Sequence, residues 1–179
     1  MIGLIFGRIR AGKSSLARHL TKGAPRIFYV DPTYEMRGKH VLSEPEDFEA
    51  FASLASDPAS RWTASAELDL SDESEADYLF EFLYQLSDCV IVIDELAEFV
   101  KGGKIKSPWL RRLVYRGGHY NLHLLCISQF PSQVSLALRT VAARVYSLAL
   151  AGEQAAYVRK TWGLEPPTEN YRYVSWSAG

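Results

Sequence analysis

The sequence predicts an α/β fold in which helices cover both faces of a mainly parallel sheet. Two observations lead to this prediction. Short apolar runs rich in β-branched residues alternate with stretches of helical periodicity, and Gly and Pro residues separate the two. Strands joined by helices form right-handed crossovers and therefore lie parallel in one sheet. At 179 residues the chain is long enough for one domain, so we expect a single domain over residues 1–179.

The first part of the chain contains two short strands with a helix between them. Residues 1–6 (MIGLIF) form an apolar run that stops at a glycine, which predicts a buried strand. Residues 14–22 have helical character, and Gly23 followed by Pro25 supplies the usual signals for a helix end. Residues 26–31 (RIFYVD) are the next predicted strand, which ends before a proline.

The middle of the chain alternates helix and strand in the same way. Residues 44–56 begin with several carboxylates, which the dipole of a helix favours in its first turn. Residues 60–70 alternate partly between apolar and polar side chains and predict a strand. Residues 71–86 place apolar side chains near the 3.6-residue period of a helix. Residues 89–93 (CVIVI) are β-branched and apolar, as expected of a fully buried strand.

The second half continues this alternation. A helical stretch starts at Leu96, a loop of lysines and glycines covers residues 101–106, and a helix is predicted over residues 108–116. Apolar runs at residues 122–128 and 144–150 predict two more buried strands. The tail over residues 166–179 is aromatic, and we expect it to pack against the rest of the domain.

The composition excludes several classes of protein. Hydrophobic residues make up 47% of the chain and charged residues 23%, as in globular proteins and unlike disordered, fibrous or membrane chains. No apolar run approaches the roughly 18 residues of a membrane span, and no cleavable leader is recognisable, so we expect a cytoplasmic protein. Cys89 and Cys126 lie in apolar runs, which predicts buried, reduced thiols.

The net charge of −1 conceals a strong asymmetry along the chain. The formal charge is +6 over residues 1–43, −15 over residues 44–98, +8 over residues 99–152 and zero over residues 153–179. Residues 99–152 contain no carboxylate at all. This distribution predicts two surfaces of opposite sign, one of which suits a polyanion, although charges that cluster in sequence also occur on ordinary solvated surfaces.

Residues 7–14 (GRIRAGKS) match the pattern G-x-x-x-x-G-K-[ST] between a predicted strand and a predicted helix, which is the context of a phosphate-binding loop. In such a loop the backbone N–H groups surround phosphates, Lys13 contacts the β and γ phosphates, and the Ser14 hydroxyl contacts magnesium (Mg²⁺). The alternative is a glycine turn with an exposed lysine. The predicted nucleotide-binding residues are Gly7, Arg8, Ile9, Arg10, Ala11, Gly12, Lys13, Ser14 and Ser15.

Asp94 and Glu95 follow a buried strand at the edge of the sheet where ligands bind in α/β proteins, as in a Walker B motif. Asp94 is predicted to hold Mg²⁺ and Glu95 to activate a water as a general base. Alternatively, Glu95 is only a carboxylate in the first turn of the following helix, where acidic residues are favoured. Gln129 ends the next strand and is a candidate γ-phosphate sensor or a simple strand-end residue. The strand at residues 60–70 lies in sequence between the two motif strands, so we expect that these strands are not direct neighbours in the sheet. This arrangement is typical of the additional-strand, catalytic-glutamate (RecA-like) division of P-loop NTPases.

Four segments together resemble the FtsK–HerA superfamily of DNA-pumping ATPases. They are residues 7–14, 29–32 (YVDP), 93–95 (IDE) and above all 116–132 (RGGHYNLHLLCISQFPS). The resemblance covers residues 1 to about 150, and the small size is most like the genome-packaging ATPases of tailless, membrane-containing double-stranded DNA viruses. Phe130 stands where family members commonly have arginine, so the role of that arginine does not carry over.

The resemblance implies a homo-oligomeric ring, usually a hexamer, with ATP and Mg²⁺ at subunit interfaces and an arginine supplied by the neighbouring subunit. Arg144 is our first candidate for that arginine, and Arg139 and Arg116 are alternatives. For Arg144 the other reading is a surface arginine that pairs with the acidic face of residues 44–98. The implied partner is double-stranded DNA bound without sequence preference. Capsid or membrane vertex proteins are further implied partners, in the host cytoplasm or with the virion.

The loop over residues 101–106 is the candidate DNA contact. Lys101, Lys104 and Lys106 would touch phosphates from the pore of a ring, with Arg111 and Arg112 extending the surface. A merely solvated lysine loop is the alternative. For the adenine contact the aromatic residues of the tail are candidates, namely Tyr171, Tyr173 and Trp176.

Three functions follow from these observations. The leading hypothesis is an ATP-driven motor that translocates double-stranded DNA and packages a viral genome, with another DNA pump or a virion assembly or secretion ATPase as close alternatives. A small-molecule kinase is less favoured, because Glu95 beside Asp94 suits water activation. A binding module that uses nucleotide for assembly would need neither DNA nor fast turnover. DNA-stimulated hydrolysis distinguishes the motor from the other two.

Overall fold

The computed structural model describes residues 1–178. A sheet of eight strands and a separate two-stranded hairpin alternate along the chain with six α-helices. The ten strands are β1 Ile2–Phe6, β2 Arg26–Val30, β3 His40–Leu42, β4 Trp62–Ala66, β5 Val90–Ile93, β6 Val100–Lys101, β7 Lys104–Ile105, β8 His123–Ser128, β9 Arg144–Ser147 and β10 Val174–Ser177. The helices are α1 Lys13–Thr21, α2 Pro45–Ser56, α3 Glu73–Tyr84, α4 Pro108–Arg116, α5 Leu136–Val141 and α6 Gly152–Trp162. Within the described residues, no helix is both long and apolar enough to span a bilayer.

The strand order of the large sheet is β10-β9-β1-β8-β5-β2-β4-β3, and every pair is parallel except β10 with β9. The strand of the phosphate loop, β1, and the strand of the acidic pair, β5, are therefore not neighbours, as predicted. The strand that separates them is not the one expected from the sequence. The strand between them is β8, whereas the strand predicted over residues 60–70 is β4 and lies beyond β2.

Helices cover both faces of the sheet, but unequally. Side chains of α2 to α6 pack with Leu4 and Phe6 of β1 in the larger core cluster. Ile5, which points to the opposite face, packs with residues of α1 in a smaller cluster. This arrangement follows from the period of two in a strand, since neighbouring residues of β1 are fully buried on opposite faces.

Several elements differ from the sequence-based expectation. β3, α5, α6 and β10 were not predicted, and the lysine loop forms a hairpin of β6 and β7. β10 is short and half exposed. It forms by antiparallel pairing with β9, which precedes it by about 30 residues in the sequence, so no local pattern predicts it. The strand predicted over residues 144–150 ends at Ser147, although burial continues to Leu150.

Both cysteines are buried and free, as predicted. Burial raises the pKa of the Cys89 thiol and of the Cys126 thiol to about 12. Both therefore remain protonated at neutral pH and act as small apolar side chains.

Candidate nucleotide-binding site

The loop over residues 7–12 connects β1 to α1 in a conformation that requires glycine. Gly12, immediately before α1, has φ 99°, in the left-handed region that side chains disfavour. A Cβ atom at Gly12 would also lie 2.7 Å from Cδ1 of Tyr171. At Gly7 an added Cβ would lie 3.0 Å from Cβ of Leu148 and 3.2 Å from Cβ of Ala11. Both glycines of the motif are thus needed where the chain turns into the helix.

Lys13 opens α1 and is half buried in the loop. Its Nζ donates a hydrogen bond to the backbone oxygen of Arg8 at 3.2 Å. Burial lowers the pKa of Lys13, whereas the carboxylates of Asp94 and Glu95 raise it. The ammonium group is therefore held beside the acidic pair, where it can meet phosphate charge.

Ser14 and Asp94 come together although they are 80 residues apart in the sequence. The Ser14 hydroxyl donates to Oδ2 of Asp94 at 3.4 Å, and Oδ1 of Asp94 accepts from the backbone N–H of Glu95 at 2.8 Å. Burial is the main cause that raises the pKa of Asp94, and the nearby charge of Asp31 raises it further. The two oxygens of Ser14 and Asp94 are the predicted metal ligands.

This donor set fits Mg²⁺. Hydroxyl and carboxylate oxygens are its preferred protein ligands. Asp31, Asp94 and Glu95 all line one cleft, and the charge of Lys13 lowers the pKa of Asp94 against the stronger effect of burial, which raises it. A bound divalent cation would remove the excess of negative charge at this point.

Glu95 and Gln129 are joined directly. Nε2 of Gln129 donates to Oε2 of Glu95 at 2.8 Å. Glu95 has φ 45° and precedes a short 3-10 turn over Leu96–Phe99, so it is not the first-turn residue of an α-helix. Positive φ at a non-glycine residue is strained and is often found at functional sites.

Asp31 is a residue of the cleft that we did not predict as a site residue. It directly follows β2 and is almost fully buried. Its carboxylate accepts hydrogen bonds from the backbone and hydroxyl of Thr33 at 2.8 and 2.7 Å, and from the backbone N–H of Met36 at 2.7 Å. A carboxylate at the end of a buried strand was the same signal that identified Asp94. Other residues of the cleft that lacked such a signal are Arg18, Thr33 and Glu35.

The C-terminal segment folds back over the phosphate loop. The backbone N–H of Tyr171 donates to the oxygen of Ala11 at 2.9 Å. The Arg8 guanidinium donates to Oδ1 of Asn170 at 3.1 Å and to the backbone oxygen of Thr168 at 3.3 Å. Arg8 thus anchors the tail to the loop and is not among the residues that line the cleft.

The three aromatic residues of the tail have different surroundings. Tyr171 contacts Gly12 and lines the cleft. Tyr173 packs edge-on against Tyr146, with ring centroids 5.9 Å apart, and Trp176 packs against the larger core cluster. Among the three candidates for the adenine contact, only Tyr171 lies in the cleft.

The predicted residues surround an open cleft of about 560 Å³, within the usual range for small-molecule sites. Gly7 and Ala11 are buried within the loop and are not among the residues that line the cleft. The side chains and loop residues that line the cleft are Ile9, Arg10, Gly12, Lys13, Ser14, Ser15, Arg18, Asp31, Thr33, Glu35, Asp94, Glu95, Gln129 and Tyr171.

The three arginine candidates lie outside this cleft. Arg144 begins β9 and pairs in register with Gly3. It therefore lies at the amino-terminal ends of the strands, whereas the phosphate loop lies at their carboxyl ends. Arg139 donates a hydrogen bond to the Tyr157 hydroxyl, and its guanidinium lies 5.7 Å from the centre of that ring. Arg116 is exposed at the end of α4. No candidate therefore serves the nucleotide of its own chain.

The predicted lysine loop is a tight hairpin. Gly102 and Gly103 both have positive φ, 57° and 73°, and form its turn, while Lys101 and Lys104 are exposed beside them. Lys106 follows β7 and is also exposed. The two glycines allow the tight turn, and Lys101 and Lys104 are exposed on either side of it.

A second cleft lies beside the hairpin, with a volume of about 510 Å³. Lys101 and Lys106 line it together with Glu98, and it shares Glu95 and Gln129 with the nucleotide cleft. The hairpin lysines are thus close to the acidic pair, at the carboxyl edge of the sheet.

Comparisons with known proteins agree with this arrangement. No protein-family model and no curated protein sequence matches the chain. Among solved structures, the genome packaging NTPase B204 from Sulfolobus turreted icosahedral virus 2, in complex with ATP-gammaS, matches with a TM-score of 0.76 and 15% identity over 98% of this chain and 91% of that chain.

Two further solved structures share the fold. The N-terminal domain of zonular occludens toxin from Neisseria meningitidis matches with a TM-score of 0.52 and 12% identity, over 99% of this chain and 93% of that chain. The cytoplasmic domain of the Thermomonospora curvata type VII secretion ATPase EccC matches with a TM-score of 0.63 and 17% identity, over 99% of this chain but only 24% of that chain. The predicted resemblance is thereby confirmed at the level of the fold. The chain has the fold of the P-loop ATPases.

Proposed function

We propose that this protein is a Mg²⁺-dependent ATPase that uses hydrolysis to translocate double-stranded DNA and to package a viral genome. One observation carries the enzymatic part. Lys13, Ser14, Asp94 and Glu95, which come from two separate motifs, line the same cleft at the carboxyl edge of the sheet. Each has the chemistry that phosphoryl transfer to water requires.

The residues of the cleft have separate roles in phosphate binding, metal binding and proton transfer. The N–H groups of Arg8 and Ala11 already donate to the backbone oxygens of Ala149 and Arg8. Other backbone N–H groups of the loop and the Lys13 ammonium bind the phosphates of ATP, and Ser14 and Asp94 would hold the metal. When bound, Mg²⁺ supplies positive charge to the β and γ phosphates. Glu95 accepts a proton from the attacking water, and Gln129 orients its carboxylate through the hydrogen bond to Oε2.

A homo-oligomeric ring is the proposed assembly, with Arg144 completing the site of the next subunit. Arg144 is exposed, and within residues 1–178 it has no carboxylate partner within 4 Å. An arginine supplied in trans stabilises charge on the transferring phosphoryl group and is worth about 10³ to 10⁵ in rate. The number of subunits proposed, six, comes from the resemblance to FtsK–HerA ATPases.

The DNA part of the proposal is supported by charge and by similarity of fold. The exposed hairpin lysines, Lys101, Lys104 and Lys106, present cations beside a cleft that includes Glu95. Contacts of this kind bind phosphates without reading bases. B204, whose structure matches over nearly the whole chain, is described as a genome packaging NTPase. Capsid or membrane vertex proteins are the proposed anchors for such a motor, in the host cytoplasm or on the virion.

The experiment that tests the proposal is steady-state ATP hydrolysis with and without linear double-stranded DNA, combined with sizing of the protein. We expect hydrolysis that needs Mg²⁺, rises in the presence of DNA, and accompanies a species of ring size. Lys13→Ala should abolish it, whereas Lys22→Ala, at the exposed end of α1, is the matched control and should not. ATP turnover that ignores DNA in a species of ring size would contradict the translocation claim.

A secretion or assembly ATPase is the second candidate function. It is favoured by the fold match to the type VII secretion ATPase EccC. This candidate predicts Mg²⁺-dependent ATP turnover that DNA leaves unchanged. The same assay therefore separates the two functions, and phosphorylation of a small acceptor would identify a kinase instead.

A further inference from the structure

The exposed face of α4 carries an unusual density of positive charge. Arg111, Arg112 and Arg116 are all exposed, and Tyr115 between them is 56% exposed. Positions 111, 112, 115 and 116 lie on one side of a helix, because residues four apart are neighbours on its surface. The opposite side of α4, with Leu110 and Leu113, is buried in the core. The helix thus presents a cationic stripe to solvent.

Within the described residues, 1–178, no carboxylate forms an ion pair with this stripe. Residues 99–152 contain no carboxylate, and the side chains of the shallow groove along α4, about 310 Å³ in volume, are Pro108, Arg111, Arg112, Tyr115 and Arg116. Within residues 1–178, the ion pairs shorter than 4 Å lie elsewhere; they are Arg37–Glu67, Arg159–Glu165 and Arg172–Glu169.

The stripe is partly pre-ordered and continues the cationic hairpin. The guanidinium of Arg112 lies 4.2 Å from the centre of the Trp109 ring, which holds its plane while its N–H groups stay exposed. Ser107 caps the amino end of α4, directly after the exposed Lys106. With a rise of about 1.5 Å per residue, Arg112 and Arg116 are about 6 Å apart along the helix axis, roughly twice the axial spacing of about 3.4 Å between successive charges on one DNA strand.

We propose that this face of α4 is a binding surface for the phosphate backbone of double-stranded DNA, with Arg111, Arg112, Tyr115 and Arg116 as the contacting residues. The inference rests on the proposed function and names the surface that DNA uses beyond the hairpin. Surfaces that bind nucleic acid are polar and strongly cationic, whereas the centres of protein–protein interfaces are depleted of charge. Guanidinium and phenol groups are both common phosphate contacts.

The acidic surface of a second copy is the competing occupant. Helix α2 carries exposed carboxylates at Glu46 and Glu49, which would attract arginines of another subunit. The groove along α4 contains only Pro108 and Tyr115 as apolar side chains, which is little for the buried centre of a stable protein interface. The observations therefore favour the nucleic acid.

The test is the salt dependence of DNA binding by a triple variant, Arg111→Ala, Arg112→Ala and Arg116→Ala. Alanine preserves the helix, and a thermal melt checks folding. The control removes the same charge elsewhere through Lys22→Ala, Arg61→Ala and Lys160→Ala, all at exposed positions. Binding of a fluorescent linear duplex is measured by anisotropy at several salt concentrations, and sedimentation gives the oligomeric state.

The triple variant of α4 should bind the duplex at least tenfold more weakly than the wild type. The slope of log affinity against log salt should also fall in magnitude by up to about 3, because each lost phosphate contact removes about 0.9 from it. The control should retain most of the wild-type slope. A variant that binds DNA like the wild type overturns the inference while the proposed function stands. A variant that changes only its sedimentation also overturns it, in favour of an interface between copies. If the wild type binds no DNA, the proposed function itself fails.

Discussion

Nε2 of Gln129 donates a 2.8 Å hydrogen bond to Oε2 of Glu95. The two residues are 34 positions apart and follow neighbouring strands, β8 and β5, whose parallel pairing brings their carboxyl ends to the same side of the sheet. The backbone of Glu95 is strained, with φ 45°. Gln129 therefore positions the proposed general base as well as lining the nucleotide cleft.

Removing the amide of Gln129 should slow the chemical step. In Gln129→Ala we expect kcat to fall by about tenfold to a hundredfold with little change in KM, because general-base catalysis depends on the orientation of the base. Steady-state kinetics over a range of ATP concentrations measure both quantities. Gln85→Ala, at the exposed end of α3, is the control. A rise in KM alone would instead assign Gln129 to phosphate binding.

Tyr171 should contribute to nucleotide affinity. Its ring lies over Gly12 in the cleft, where it can contact a bound nucleotide, and stacking of this kind is worth about 0.5–1.5 kcal/mol. Tyr171→Ala is expected to weaken ATP binding by about twofold to tenfold, measured by titration calorimetry. Tyr173→Ala, which changes the same tail outside the cleft, should bind ATP normally. Equal effects of both substitutions would mean that only the packing of the tail matters.

Gly38 is required by close backbone contact. A Cβ atom there would lie 2.4 Å from Cα of Ala64, which is backbone and has no room to move. We expect Gly38→Ala to destabilise the fold by about 1–3 kcal/mol, and so to lower Tm by roughly 2–12 °C for a chain of this size. Gly118→Ala is the control, since a Cβ at Gly118 meets nothing within 4 Å. Equal Tm values for the two variants would contradict the close approach.

The two thiols should be unreactive in the folded protein. Burial raises the pKa of Cys89 and of Cys126 to about 12, so the reactive thiolate is absent at pH 8. Because these pKa values are higher in the folded than in the unfolded chain, the thiols favour folding below about pH 9 and lose this contribution as pH rises toward 12. Labelling with a thiol reagent should be slow in buffer and should modify both cysteines in denaturant. Rapid native labelling at pH 8 would contradict the burial.

Much of the site was predictable because its signals are local. The phosphate loop at residues 7–14 is recognisable from its two glycines and its place between a strand and a helix. Asp94 and Glu95 directly follow a strand whose apolar, β-branched sequence is typical of a buried one. The position of Gln129 at a strand end was equally local. Its bond to Glu95 was not predictable, because it depends on β8 lying beside β5, which is a property of the strand order.

The remaining features depend on contacts between distant segments. The tail covers the phosphate loop through Arg8 and Asn170, which are 162 residues apart, and no periodicity in either segment indicates that contact. β10 forms only because β9 leaves an edge to pair with. The turn at residues 31–36 folds around the carboxylate of Asp31, whose hydrogen bonds are local but whose place in the cleft comes from β2 lying next to β5.

The most direct test of the proposed chemistry is a comparison of ATP binding and ATP hydrolysis in Glu95→Gln. This substitution keeps the size and the hydrogen-bonding shape of the side chain and removes the base. We predict that the variant binds Mg²⁺-ATP with an affinity close to that of the wild type and hydrolyses it at least a hundredfold more slowly. Hydrolysis at the wild-type rate would show that Glu95 does not activate the water and would contradict the account.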